Sequence, residues 1–374
     1  MTEFSAADHA HMARAIQLAR RGLYTTHPNP RVGCVIVRNG KVVGEGWHEY
    51  AGQPHAEINA LRAAQGQAQG ADVYVTLEPC SHFGRTPPCA DALLTAGVGR
   101  VIVAMQDPNP QVAGRGLERL RQAGIKTEQG LLSAEAGALN PGFISAMRRR
   151  RPFVRIKMAM SLDGRTAMAS GESVWITGAA ARHDVQFWRA RAGAVLTGID
   201  TVLADQPALN VRLSAEQLAI SSAVRQPERI ILDSALRCPE DAALLKLPGL
   251  VRIYTCAQDA AKIKRLQQHG VIVRRFAGQQ PVLTEVLAAL HEDGINEVHV
   301  EAGATLTGRF IDEGLADELL IYMAPHLMGS AARPLFRLPL QQMQERIALD
   351  IRDIRALGDD WRILAAVGLP STNR

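Results

Sequence analysis

Apolar positions recur along the chain with two periods in alternation, one near 3.6 residues and one near 2, which predicts helices alternating with strands. From Ala6 to Arg21 the apolar positions Met12, Ala15, Ile16 and Ala19 mark one face of a helix, with Gly22 as its expected C-cap. Val32 to Val37 and Val42 to Gly46 flank Asn39-Gly40, a pair that favours the type I′ turn of a hairpin. A helix is predicted from Ala56 to about Ala64, then an apolar strand from Val73 to Leu77. Further on come a helix near Ala90 to Ala96, a buried strand from Val101 to Met105 and a helix near Leu117 to Ala123. The helical stretch from Ala134 to Met147 is broken at Asn140-Pro141-Gly142.

The second half repeats the alternation without repeating any motif. Strands are predicted at Phe153 to Met158, Ala194 to Thr197, Arg229 to Leu232, Arg252 to Thr255, Glu297 to Val300 and Leu319 to Met323. Ala215 to Gln226 reads as a surface loop or a weak helix. A length of 374 residues exceeds what one core usually organises, so two α/β domains are expected. The best break is the basic run Arg148 to Arg151 followed by Pro152, which cannot continue a helix and precedes a new strand. That gives domains of residues 1–150 and 151–374.

Composition changes the picture little: 47% hydrophobic and 21% charged residues are ordinary for a globular protein. No apolar run approaches the roughly 20 residues of a membrane span. Met1 to Asp8 lacks the basic-then-apolar layout of a signal peptide, so the cytoplasm is expected. Five scattered cysteines do not make a disulfide framework; in a reducing compartment, paired thiols point to metal or catalysis. The net charge of +5 permits a nucleic acid, but a phosphorylated small substrate and a dinucleotide account for it equally well.

The chemistry is concentrated in His55-Ala56-Glu57, Pro79-Cys80 and Cys89. Hydrolytic deamination needs a nucleophile made from water at neutral pH, and zinc lowers the pKa of a bound water to about 7. His55, Cys80 and Cys89 would leave zinc's fourth position free for that water, and Glu57 would shuttle its proton to the leaving amine. The order matches the zinc-deaminase signature H-x-E…P-C-x-x-C, but Ser81 to Pro88 separate the cysteines where two residues are usual. Taken singly, each residue reads as an ordinary core cysteine or surface histidine. A structural site would need a fourth ligand, for which His48 and His82 are the candidates.

The long insert Cys80-Ser81-His82-Phe83-Gly84-Arg85-Thr86-Pro87-Pro88-Cys89 resembles the deaminases of riboflavin biosynthesis. The resemblance extends to His27-Pro28-Asn29-Pro30-Arg31-Val32-Gly33, Gln106-Asp107-Pro108-Asn109-Pro110, Ser161-Leu162-Asp163-Gly164-Arg165 and Glu301-Ala302-Gly303. It covers nearly the whole chain and is to the bifunctional diaminohydroxyphosphoribosylaminopyrimidine deaminase and 5-amino-6-(5-phosphoribosylamino)uracil reductase family. It implies a cytidine-deaminase-like three-layer domain followed by a dihydrofolate-reductase-like one, with one zinc ion per chain and NADPH as cofactors. Asn29 and His48 would line the pyrimidine site, with His82, Arg85 and Asn109 toward the ribose phosphate. Asn29 and Asn109 sit between prolines and also read as turn residues, and His48 as a strand-end residue.

No GxGxxG is present in the second half. Glu301-Ala302-Gly303-Ala304-Thr305-Leu306 follows a predicted strand and opens a helix whose free N–H groups suit a pyrophosphate, although a glycine there also reads as plain turn chemistry. The resemblance implies that Ala159, Trp175, Thr201, Asp205 and Ser234 touch NADPH, together with Gly303, Ala304, Thr305 and Leu306. It implies that Lys157, Ser173, Arg189, Leu209, Arg212 and Glu301 surround the substrate, with Lys157 and Asp205 the candidates for assisting proton transfer. Trp175 alone reads as core and Asp205 as a loop acid. The expected partners are phosphorylated aminopyrimidines and further copies of the chain, as dimer or tetramer, with no nucleic acid and no membrane. A nucleic-acid-editing deaminase, a scaffold with structural zinc and a deaminase with a non-catalytic second half are the competing readings; a long α/β second half, the HxE glutamate and the motifs beyond Arg151 weigh against each in turn.

Overall fold

In a computed structural model, residues 3–81, 87–110 and 112–368 are described. They divide into two compact units, one of Met1–Arg151 with Ala215–Ala223 and one of Pro152–Ser214 with Val224–Arg374.

The first unit runs α1 (Ala6–Arg20), β1 (Gly33–Arg38), β2 (Lys41–Trp47), α2 (Ala56–Ala63), β3 (Asp72–Val75), α3 (Cys89–Thr95), β4 (Arg100–Val103), α4 (Arg115–Gln122), β5 (Lys126–Gln129), α5 (Ser133–Leu139) and α6 (Pro141–Arg149). Its sheet has the order β2-β1-β3-β4-β5, antiparallel through β3 and parallel from β3 to β5. Strand alternation separates two cores. Cys34, Ile36, Val73, Val75, Val101 and Val103 face α2, α3 and α4, while Val35, Val37, Tyr74 and Ile102 face α1 and α5. The result is the expected three-layer arrangement. Asn39 and Gly40 both take positive φ, 51° and 74°, as the predicted hairpin turn requires. Gly22 is not the cap of α1; Arg21 is, in ordinary helical geometry. The glycine is needed because a Cβ there would lie 2.7 Å from the carbonyl of His48. Likewise a Cβ on Gly46 would sit 2.3 Å from the amide of Ala60, so β2 receives the first turns of α2 at close range.

The second unit contains β6 (Phe153–Ser161), β7 (Arg165–Ala167), α7 (Ala179–Arg191), β8 (Ala194–Gly198), α8 (Ile199–Asp205), β9 (Glu228–Leu232), β10 (Val251–Thr255), α9 (Ala260–Gln268), β11 (Ile272–Arg275), α10 (Leu283–Glu292), β12 (Glu297–Val300), α11 (Ala304–Asp312), β13 (Glu318–Ala324), β14 (Arg333–Pro334), β15 (Leu349–Leu357) and β16 (Asp360–Val367). Nine strands form one sheet in the order β11-β10-β9-β8-β12-β6-β13-β16-β15, parallel up to β13 and closed by an antiparallel hairpin. Val154, Ile156, Met158, Val298 and Val300 build the main core on one face. The other face of the same strands is charged: Arg155, with Glu297 and Glu318, lies 4.6 Å from the Trp188 ring of α7. Residues 215–226 form turns and irregular chain, and residues 215–223 of this stretch belong to the first unit. No helix among the described residues is long and apolar enough to cross a membrane.

Candidate active sites: a three-ligand cluster and a cavity over a parallel sheet

His55 is the N-cap of α2, which puts Glu57 in that helix's first turn, and Cys89 is the first residue of α3. Cys80 lies beyond the end of β3, after Pro79. The ligand atoms of His55, Cys80 and Cys89 all fall within 4.8 Å of one another. His55 Nδ1 is 3.7 Å from Cys80 Sγ and 3.3 Å from Cys89 Sγ. Tetrahedral zinc with ordinary bond lengths separates a sulfur from a nitrogen ligand by about 3.6 Å, so the donor set fits that ion. The Cys89 backbone N–H, at the start of α3, donates to Cys80 Sγ at 3.3 Å. Hydrogen bonds from Cys89 and His55 favour the Cys80 thiolate, and holding that bond keeps the Cys89 thiol protonated. A dication among the three would favour both thiolates.

Glu57 is buried beside the cluster, and burial pushes its pKa up to about 7 despite the opposing pull of His55. A carboxyl poised there can both accept and return a proton at neutral pH. Asn29 and His48 are brought to the same place. Asn29 Nδ2 lies 3.2 Å from His48 Nε2, and His48 Nδ1 is 3.2 Å from the carbonyl of Pro54. The His48 and His55 rings meet edge-on with centroids 5.4 Å apart. Burial lowers the pKa of His48, favouring the neutral ring. Asn109 sits in the loop after β4, its N–H bound to Asp107 Oδ1 at 2.8 Å. His82 and Arg85 lie outside the described residues.

In the second unit a cavity of about 1100 Å³ lies over the carboxyl ends of β6, β8, β9 and β12, where parallel sheets place their ligands. Every cofactor and substrate residue expected in this half lines it: Ala159, Trp175, Thr201, Asp205, Ser234 and the 303–306 turn, together with Lys157, Ser173, Arg189, Leu209, Arg212 and Glu301. Trp175 is 72% exposed at the rim and so is not a core residue. Gly303 caps α11 with an ordinary φ of −74°, so turn geometry does not demand glycine. Nothing lies within 4 Å of where its Cβ would be, which leaves room for a bound group against the helix start.

Arg189 lines the cavity and also pairs with another residue of it. Its Nε and Nη2 grip the Glu301 carboxylate at 2.5 and 2.9 Å and its Nη1 reaches the Asn210 carbonyl, so it orients Glu301. Burial would raise the pKa of Glu301, but Arg189, with His299 and Lys157, holds it well below the usual range. Burial lowers the pKa of Lys157. Among the buried polar residues that the sequence does not single out are His299, 3.5 Å from Glu301, and Glu78, which precedes Pro79-Cys80.

The fold and the two sites define a class: a zinc-deaminase module carried in one chain with a module built to hold a nucleotide-sized ligand. Residues 5–105 match the cytidine and deoxycytidylate deaminase zinc-binding region, and residues 152–363 match the RibD C-terminal domain. The chain is 49% identical over 359 residues to riboflavin biosynthesis protein RibD of Escherichia coli (strain K12), covering 94% of this chain and 97% of that one. It superposes on the structure of Acinetobacter baumannii RibD with a TM-score of 0.89 at 48% identity, covering 97% and 99% of the two chains. A Thermotoga maritima diaminohydroxyphosphoribosylaminopyrimidine deaminase/5-amino-6-(5-phosphoribosylamino)uracil reductase gives 0.85 at 31% identity, with the same coverage. The chain belongs to this family of bifunctional deaminase–reductases of riboflavin biosynthesis, which uses zinc and NADPH.

Proposed function

We propose that residues 1–150 deaminate 2,5-diamino-6-(5-phosphoribosylamino)pyrimidin-4-one, and that residues 151–374 then reduce the ribosyl group of 5-amino-6-(5-phosphoribosylamino)uracil to ribityl. The observation that carries this reading is the convergence of His55, Cys80 and Cys89 beside a buried Glu57. Deamination replaces a ring C–NH2 bond by a C–O bond, with water consumed and ammonia released. His55, Cys80 and Cys89 would hold a zinc ion, which would supply the acidification of water, to a pKa of about 7, that the reaction needs. Glu57 takes the proton of the attacking water and delivers it to the departing amine. The hydrogen-bonded row Asn29, His48, Pro54 fixes the edge of the pyrimidine site. His82, Arg85 and Asn109 receive the ribose phosphate.

In the second half NADPH, when bound, would supply the hydride for reduction at the first carbon of the opened ribose. The α11 start with Gly303, Ala304, Thr305 and Leu306 takes the pyrophosphate, and Ala159, Trp175, Thr201, Asp205 and Ser234 hold the rest of the cofactor. Glu301, oriented by Arg189, meets the sugar with Ser173 and Leu209, while Arg212 takes the phosphate. Lys157, a readier proton donor for being buried, provides the proton that balances the hydride, with Asp205 the alternative donor. A cytoplasmic homo-oligomer acting on phosphorylated aminopyrimidines, without nucleic acid, completes the reading. A Cys89→Ser enzyme tests it. That variant should leave NADPH untouched when given the diaminopyrimidine nucleotide and should oxidise it at the normal rate when given the deaminated aminouracil nucleotide. Equal NADPH oxidation with either substrate would refute the proposed order.

A further inference from the structure

Glu78 does something that neither metal binding nor proton transfer requires. It follows β3, two residues before Cys80, and is 5% exposed. Its carboxylate accepts four backbone N–H groups from one distant stretch of chain. Oε2 receives Asp107 at 3.1 Å and Gly114 at 2.9 Å, and Oε1 receives Gly116 at 2.9 Å and Leu117 at 3.3 Å. Gly116 and Leu117 are the second and third residues of α4, whose own N-cap, Gly114, makes no side-chain cap bond. Glu78 therefore caps α4 from the segment that follows β3, placing a negative charge at a helix N-terminus that lacks a side-chain cap of its own. The approach is so close that a Cβ on Gly116 would lie 2.1 Å from the carbonyl of Pro79.

Asn109 lies between the two ends that Glu78 holds. Its N–H is bound by Asp107, and its carbonyl accepts the amides of Val112 at 3.0 Å and Ala113 at 2.9 Å. We propose that Glu78 is a positioning residue for the deaminase, its carboxylate fixing both ends of the Asn109 loop to the segment that bears Cys80, so that Asn109 is set against the nucleotide. This rests on the proposed contact of Asn109 with the substrate. A four-acceptor carboxylate is suited to the task because every one of its bonds is charge-assisted and the loop cannot shift without losing several of them.

The test uses the full-length, zinc-loaded protein with ammonia release as the assay. Glu78→Gln keeps the shape but removes the charge and one acceptor oxygen, the partner of two of the four amides, and it should raise KM for the diaminopyrimidine nucleotide by about tenfold or more. Zinc content, kcat and reduction of the deaminated substrate should stay near wild type. Hydrogen exchange of the amides of Asp107, Gly114, Gly116 and Leu117 should quicken while β3 and α2 remain protected. Gly116→Ala, which pushes α4 away from Glu78, should raise KM in the same way. Asn109→Ala is the reference. If it leaves KM unchanged, the contact itself is wrong and the inference goes with it. If Asn109→Ala raises KM and Glu78→Gln does not, only the inference fails. Loss of zinc in Glu78→Gln, or loss of protection throughout β3 and α2, would equally overturn it, since Glu78 would then serve the metal loop or the whole unit.

Discussion

At the scale of single residues the first site depends on a division of labour between neighbours two positions apart. His55 ends the loop and presents Nδ1 to both thiols, whereas Glu57 is turned into the protein, where burial raises its pKa to about 7. Replacing Glu57 with Gln keeps the shape and removes the shuttle. Bound zinc should persist by metal analysis while deamination falls by at least about 100-fold; parallel loss of zinc would make Glu57 a ligand. The metal set and its glutamate were legible in the sequence because HxE and the Pro-Cys step place them at helix and strand ends. Glu78 was not, since its partners lie 29 to 39 residues away and only folding reveals that one carboxylate collects them. The pairing of Arg189 with Glu301 was not legible for a related reason. An arginine suits a phosphate, but only the fold shows that its guanidinium is already committed to Glu301.

At the scale of elements, β12 shows how one strand serves both core and site. Val298 and Val300 face the apolar layer, while Glu297, His299 and the following Glu301 face α7 and the cavity. His299 is fully buried among Arg155, Lys157, Arg189 and Glu301, and burial drives its pKa down to about 3. The unfolded chain binds a proton at this position near pH 6.5, and the folded one does not until near pH 3. Its contribution to stability is therefore complete above pH 6.5 and is lost as pH falls toward 3. Unfolding free energies from denaturant titrations should decline over that window by up to about 1.4 kcal/mol per pH unit more in wild type than in His299→Leu. Identical slopes would show that His299 is protonated in the fold. Buried strands such as β8, β9 and β12 were legible from their apolar runs. Strands β5, β11 and β15 were not: they lie at sheet edges and carry charges, as in Leu349–Leu357, where nearly every residue is exposed.

At the scale of the whole molecule, two chemistries that share no sequence motif are carried by one chain. The change of unit falls between Arg151 and Pro152, at the basic run and proline that the sequence marks. Residues 215–223 join the first unit although they lie far along the second half, which no local pattern announces, because these residues form no regular element of their own. The central claim is an order of events, amine loss first and hydride transfer second. The most direct measurement follows ammonia and NADPH together in one reaction of the wild-type protein with the diaminopyrimidine nucleotide. The account predicts full ammonia release without NADPH, and, with NADPH present, oxidation of one cofactor per ammonia with ammonia always leading. NADPH oxidation that precedes ammonia release, or proceeds without it, would contradict the account.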